Sequence, residues 1–249
     1  MKFSANLGFL WADRPLHDAI RAAAAAGFDA VECHWPYQHD PATVLAALQE
    51  TGLPMLGLNT RTGAPGELGL AALTGRVEEA RAAIDEAIAY ATAIGARNVH
   101  VMAGVHGDAA VYAENLAYAC EKGADQGLTI LIEPLNAGDA PDYFLRTTGQ
   151  AVKIIDDLGC TNFRLMFDCY HVQLTEGDVI ARLKATLPHI GHIQFASVPD
   201  RAEPDGGTLD YRAVFQQIRT LGYDRPLGAE YRPGGAVEAG LGWMRDLTA

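Results

Sequence analysis

Short apolar runs rich in β-branched and aromatic residues alternate with longer Ala-, Leu- and Glu-rich stretches along the whole chain. The runs at 3–8, 28–33, 54–59, 97–103, 128–133, 163–168, 190–195 and 226–231 read as strands. The stretches at 15–26, 41–51, 75–94, 108–126, 147–158, 177–187, 210–221 and 236–247 read as helices. In 75–94 the helical period is clearest. Val77, Ala80, Ile84, Ala87, Ile88, Ala91 and Ile94 recur at three- and four-residue steps, while Glu78, Glu79, Asp85 and Glu86 take the other face. Gly95 follows, as a residue suited to a left-handed C-terminal cap, and Gly27, Gly52, Gly127, Gly159 and Gly222 stand at the same place before other candidate strands. Eight strand–helix units in unbroken succession predict a parallel sheet, and their even repeat favours a closed (β/α)8 barrel over an open sheet. No Pro/Ser/Gly-rich linker interrupts the rhythm, so residues 1–249 are expected to form one α/β barrel domain.

The length agrees, since 249 residues match the ~250 that such a barrel takes. Nearly half of the residues are hydrophobic, yet no stretch approaches the roughly 20 apolar residues that span a bilayer, so no membrane association is expected. The opening MKFSANLGFLWADRP lacks the long apolar region and small-residue cleavage site of a signal peptide and reads as the first strand. Net charge is −12, which disfavours a nucleic-acid partner because such proteins normally present a basic face. Cys33, Cys120, Cys160 and Cys169 show neither CxxC nor zinc-finger spacing, so four free thiols in a reducing compartment, the cytoplasm, are expected.

Four segments carry candidate chemistry: LIEPLN (131–136), LMFDCYH (165–171), HIQFA (192–196) and LGAEYR (227–232). In each, an apolar run leads to one side chain able to bind a metal, namely Glu133, Asp168, Gln194 and Glu230. The intervals of 35, 26 and 36 residues are close to one strand-plus-helix unit, which places all four at the barrel end where active sites lie. A carboxylate ending a buried strand needs a cation or hydrogen bonds to offset its desolvation. Taken one at a time, each residue could be a strand cap or an arginine partner; four at repeat spacing point to a divalent-metal site. Two glutamates, an aspartate and an amide oxygen make an oxygen shell suited to Mg²⁺ or Mn²⁺, with Co²⁺ as an alternative.

Other candidates surround this set. His171 lies three residues after Asp168, where it would reach a substrate oxygen. His192 shares a strand face with Gln194 by period-two alternation and reads equally well as a core group or a ligand. His34, in CHWPY, would line the mouth, whereas His100 reads as core. Arg201 sits in the loop PDRAEPDGG (199–207) after the seventh strand, as a clamp for a substrate carboxylate or hydroxyl. There is no GxGxxG after the first strand and no GxSxG, and GLNTRTGAPGELG (57–69) matches no phosphate loop, so no dinucleotide site or serine nucleophile is expected.

With these residues in view, the chain resembles the hydroxypyruvate isomerase family, within the xylose-isomerase-like barrels that also include ketose 3-epimerases and endonuclease IV. The resemblance runs through KFSANL (2–7), GFDAVECHWPY (27–37), LIEPLN, GQAVKIIDDLG (149–159), FDCYH, GHIQFA, EPDGG and AEYRPGGAVEAGLGWM (229–244). It implies a divalent metal held by Glu133, Asp168, Gln194 and Glu230, proton transfer by Glu133 and Glu230, and substrate contacts from His171 in DxxH and Arg201 in PxRxEP. Gln194 stands where ketose 3-epimerases usually place histidine. The loop after the third strand reads NTRTGAPGE in place of the family's HNLPAGDW-like stretch, the segment 101–110 is shortened, and PDGG replaces a PGTG-like stretch. These differences fall on the mouth and leave the substrate open.

The expected reaction is aldose–ketose isomerisation of a small 2-oxo hydroxy acid, hydroxypyruvate or a 2-oxo-tetronate, through an enediolate with two glutamates as acid and base. A ketose 3-epimerase is the alternative. A metal-dependent DNA-repair nuclease is a distant one, because it would need a basic groove and several more histidines. The expected partner is a small-molecule substrate, and a homo-oligomer is compatible with the sequence.

Overall fold

The computed structural model describes residues 1–248. Eight strands form one all-parallel sheet: β1 (Phe3–Asn6), β2 (Ala30–Glu32), β3 (Gly57–Asn59), β4 (Asn98–His100), β5 (Thr129–Ile132), β6 (Phe163–Asp168), β7 (Ile190–Phe195) and β8 (Leu227–Ala229). They are hydrogen-bonded in the order β2-β1-β8-β7-β6-β5-β4-β3. The remaining edge is bridged at Val31 and Met55, where Val31 donates to the Pro54 carbonyl and accepts from Leu56. This is the (β/α)8 barrel that the repeat predicts, and most of its strand residues are buried because both faces are covered.

Helices α1 (Leu16–Ala25), α2 (Pro41–Thr51), α3 (Val77–Ile94), α4 (Ala109–Ala124), α5 (Thr148–Leu158), α6 (Cys169–Thr175), α7 (Val179–Thr186), α8 (Tyr211–Thr220) and α9 (Trp243–Asp246) follow along the chain. The periodic face of α3 is buried from Ala80 to Ile94, with Val77 at the first turn half-buried, and Gly95 ends the helix at φ 69°. None of these helices is long and apolar enough to cross a membrane. The four cysteines are unpaired.

Two helices differ from the sequence reading. α6 begins directly at the end of β6, because Asp168 is at once the last strand residue and the N-cap, its Oδ1 accepting from Tyr170 N at 2.8 Å. The helix expected over 236–247 is instead a 3-10 turn (Val237–Gly240) followed by the short α9. Gly240 and Gly242 weaken helix propagation there. The segment is held by Trp243, which is fully buried edge-on against Phe3 (4.9 Å) and Phe195 (5.3 Å) and donates to the Tyr231 hydroxyl at 3.1 Å.

One irregularity serves the site. Between β6 and β7 the register shifts, with Leu165 opposite Ile190 but Met166 opposite His192, so that Asp168 faces Gln194 directly. A bulge of this kind re-aims the residues that follow it.

Candidate metal centre and active site

Because successive strands are parallel, their carboxyl ends meet in one layer. Glu133 follows β5, Asp168 ends β6, Gln194 lies near the end of β7, and Glu230 follows β8. These four strands are consecutive neighbours in the barrel. All four side chains are buried, at 5%, 1%, 4% and 6% exposure, so each polar atom needs a partner. Three of them lack one: among the described residues, Glu133 Oε1, Asp168 Oδ2 and Gln194 Oε1 have no hydrogen-bond donor. Glu133, Asp168 and His171 form a buried group that could hold a metal ion, with ligand atoms within 4.8 Å of one another.

The two glutamates have different surroundings. Glu230 Oε1 accepts from Asn6 Nδ2 at 3.0 Å and lies 2.9 Å from His34 Nε2, while Oε2 accepts from Arg201 Nη2 at 2.8 Å. Burial alone would raise its pKa, but Arg201 and His34 outweigh it and hold the carboxyl at about 2. Glu133 has no such cation against it. Burial, with the charges of Glu230 and Asp168, pushes its pKa well above the carboxylate range. Burial and Glu230 likewise push Asp168 up to about 7. Left alone in this buried layer, Glu133 and Asp168 therefore resist ionising, and a divalent cation between them would favour their charged forms.

His171, on the first turn of α6, points its Nε2 into this layer, 3.6 Å from Asp168 Oδ2 and 3.9 Å from Glu133 Oε1. Its Nδ1 accepts from the Asn136 backbone N–H at 3.1 Å, so the proton of the neutral ring sits on Nε2. Burial and the nearby charge of Arg201 lower its pKa to about 3, which keeps the ring neutral. His34 stands at the mouth, edge-on to Phe9 at 5.2 Å, and lies so close over Gly8 that a side chain there would overlap its ring.

Arg201 is placed by an unusual backbone. Its φ of 53° lies in the left-handed region, and the turn is fixed by bonds from Arg201 N to the Ser197 carbonyl (2.9 Å) and from Arg232 N to the Arg201 carbonyl (2.7 Å). The guanidinium lies 5.0 Å from each of the Phe9 and Tyr170 rings. It donates to Asp139 Oδ2 at 3.0 Å as well as to Glu230.

His192 is not brought into this cluster. It faces the same side as Gln194, as alternation predicts, but lies two residues nearer the amino end of β7, where its Nε2 meets Glu32 Oε2 at 2.7 Å. His100 is buried as expected and also borders the site, its Nδ1 3.7 Å from Glu133 Oε2. Sequence reading passed over Asn6, Glu32, Asn136 and Asp139. Asn6 and Glu32 were open to discovery by the rule that found the others, since each is the polar last residue of a barrel strand.

Comparison with known proteins gives the family. Residues 20–247 match the family described as xylose isomerase-like TIM barrel. The 2-oxo-tetronate isomerase of Cupriavidus necator is 46% identical over 98% of this chain and 97% of its own. The hydroxypyruvate isomerase of Escherichia coli is 36% identical, covering 98% of both. A solved structure named AP endonuclease, family 2, from Brucella melitensis superposes with a TM-score of 0.94 at 36% identity over 98% of each chain. The chain therefore belongs to the xylose isomerase-like TIM barrel family, and within it to the hydroxypyruvate isomerase family that includes the 2-oxo-tetronate isomerases.

Proposed function

We propose that this protein is a divalent-metal-dependent isomerase that moves the carbonyl of a small 2-oxo hydroxy acid to the adjacent hydroxyl-bearing carbon, giving an aldehyde from hydroxypyruvate and a 3-oxo acid from a 2-oxo-tetronate. The observation that carries the reading is the set of three buried, donor-less oxygens on Glu133, Asp168 and Gln194 at adjoining strand ends. Carboxylate and amide oxygens fit Mg²⁺ or Mn²⁺, with Co²⁺ also accommodated. Glu133, Asp168, Gln194 and Glu230 would hold the ion. The chemistry it supplies when bound is polarisation of adjacent carbonyl and hydroxyl oxygens of the substrate.

The residues of the chain then do the rest. One of the two glutamates, ionised, takes the proton from the carbon that bears the hydroxyl, leaving an enediolate. The pair returns a proton to the neighbouring carbon, while the hydroxyl proton passes between the two oxygens. With hydroxypyruvate the proton leaves C3 and returns at C2, giving tartronate semialdehyde with no net gain or loss of atoms or electrons. His171 offers its Nε2–H to a substrate oxygen as a neutral donor, and Arg201 offers positive charge beside Glu230. A net charge of −12 speaks for a small solute over a nucleic acid. The relative named for the four-carbon substrate is the more similar of the two quoted isomerases, so a 2-oxo-tetronate is the first substrate to try. Incubation of Mn²⁺-loaded protein with a 2-oxo-tetronate and with hydroxypyruvate, followed by NMR detection of the isomeric product, tests this. Product from neither would overturn it.

Arg201 gives a separate prediction. Arg201→Ala leaves Glu230 and Asp139 without their cation, and a broken buried pair typically destabilises by about 3 kcal/mol. Arg201→Lys keeps the charge but loses the planar fork and the ring contacts, so it should recover only part of that. Urea unfolding of the three proteins checks the order; a wild-type midpoint for Arg201→Ala would remove Arg201 from the account of Glu230.

A further inference from the structure

Glu32 takes no part in the chemistry above, yet its buried carboxylate receives three side-chain contacts. Asn6 Nδ2 donates to Oε1 at 3.1 Å, Gln194 Nε2 donates to Oε1 at 2.8 Å, and His192 Nε2 meets Oε2 at 2.7 Å. Asn6 also donates to Glu230, so one residue links Glu32 to the glutamate at the mouth. Room for this is built into the neighbouring strand. A Cβ on Gly228, which pairs with both Ser4 and Gln194, would lie 2.6 Å from Glu32 Oε1 and 2.8 Å from Gln194 Cγ.

A glutamine side chain has two ends of nearly equal size, one a donor and one an acceptor, and its surroundings decide which end points where. At 2.8 Å from a carboxylate oxygen only the N–H end is tolerated, because the flipped amide would set two acceptors against each other. With the nitrogen committed to Glu32, the carbonyl oxygen is the end left without a donor, on a residue that stands opposite Asp168 in the sheet.

We propose that Glu32 is a positioning residue that, in the space left by Gly228, holds the amide of Gln194 with its oxygen presented to the metal. This rests on the reading of Gln194 as a metal ligand. It has a specific consequence: position 194 requires an amide because of Glu32, although a carboxylate there would bring more negative charge to a cation.

The test is Mn²⁺ binding to chelator-stripped protein, read from the loss of the free Mn²⁺ EPR signal and from the rise in melting temperature. Gln194→Leu and Gln194→Glu should each weaken binding by about 10–100-fold. The double variant Glu32→Gln/Gln194→Glu restores a donor–acceptor pair with the roles exchanged, and should bind at least about tenfold more tightly than Gln194→Glu alone. Gln194→Glu binding as tightly as wild type, or a double variant no better than it, would overturn the positioning role. If Gln194→Leu were weakened in that same experiment, the metal reading would stand. Wild-type affinity in Gln194→Leu would overturn both. Should Gln194→Glu fail to fold in the metal-free melt, Glu32→Leu asks the same question by removing the acceptor of the Gln194 amide while leaving Gln194 itself unchanged. Weaker Mn²⁺ binding supports the role, and unchanged affinity overturns it.

Discussion

Replacing Glu133 by glutamine is expected to lower turnover by about 10²–10⁴-fold, the usual worth of a placed proton-transfer group. The amide has the same shape but cannot accept the proton. Its effect on the fold should be the reverse of the usual damage. In the metal-free protein burial and the like charge of Asp168 and Glu230 push the Glu133 pKa well up, so folding at neutral pH carries the cost of protonating it; a permanently neutral amide avoids that cost, and the melting temperature should stay unchanged or rise. Glu230→Gln should also abolish turnover, but it breaks the contacts to Arg201 and His34 and should destabilise by about 3 kcal/mol. Steady-state kinetics and thermal melts of the two variants separate the cases. Substantial activity in both would remove the glutamates from the proton-transfer step.

Loading with a divalent ion should produce the second large effect. An ion that binds only the folded state stabilises it by about 2.7 kcal/mol at a hundredfold excess over Kd. For a chain of this size that is a rise of roughly 5–10 °C in melting temperature. Mg²⁺ or Mn²⁺ should give the rise, and a chelator should reverse it together with the activity. The increment should shrink sharply in Asp168→Asn, because that substitution converts a crowded carboxylate into an amide in the same layer. A melt insensitive to Mg²⁺, Mn²⁺ and Co²⁺ would contradict the metal reading.

The fold was legible because helix, glycine and strand recur evenly, and because a barrel strand buried on both faces is apolar until its carboxyl end. That same rule exposed Glu133, Asp168, Gln194 and Glu230. It stopped short at Asn6 and Glu32, whose short strands FSAN and AVE carry too few apolar residues to stand out. Period-two alternation assigned His192 to the right face but carries no information on depth, and two residues along a strand shift a side chain by one layer. α6 was missed because Asp168 ends the strand and caps the helix with no turn residue between them. The last segment misled for another reason: its apolar positions are spaced like a helix, but Trp243 anchors it through aromatic packing that sequence spacing does not reveal.

The measurement closest to the central claim is solvent proton exchange. Mn²⁺-loaded protein would be incubated in D₂O with a 2-oxo-tetronate, with hydroxypyruvate and with several ketoses, and NMR would report which carbon gains deuterium. Metal-dependent deuterium at the hydroxyl-bearing carbon beside the carbonyl of an oxo acid, lost in at least one of Glu133→Gln and Glu230→Gln, is the predicted result. Deuterium confined to C3 of a ketose would contradict the isomerase reading in favour of an epimerase, and exchange into none of them would contradict both.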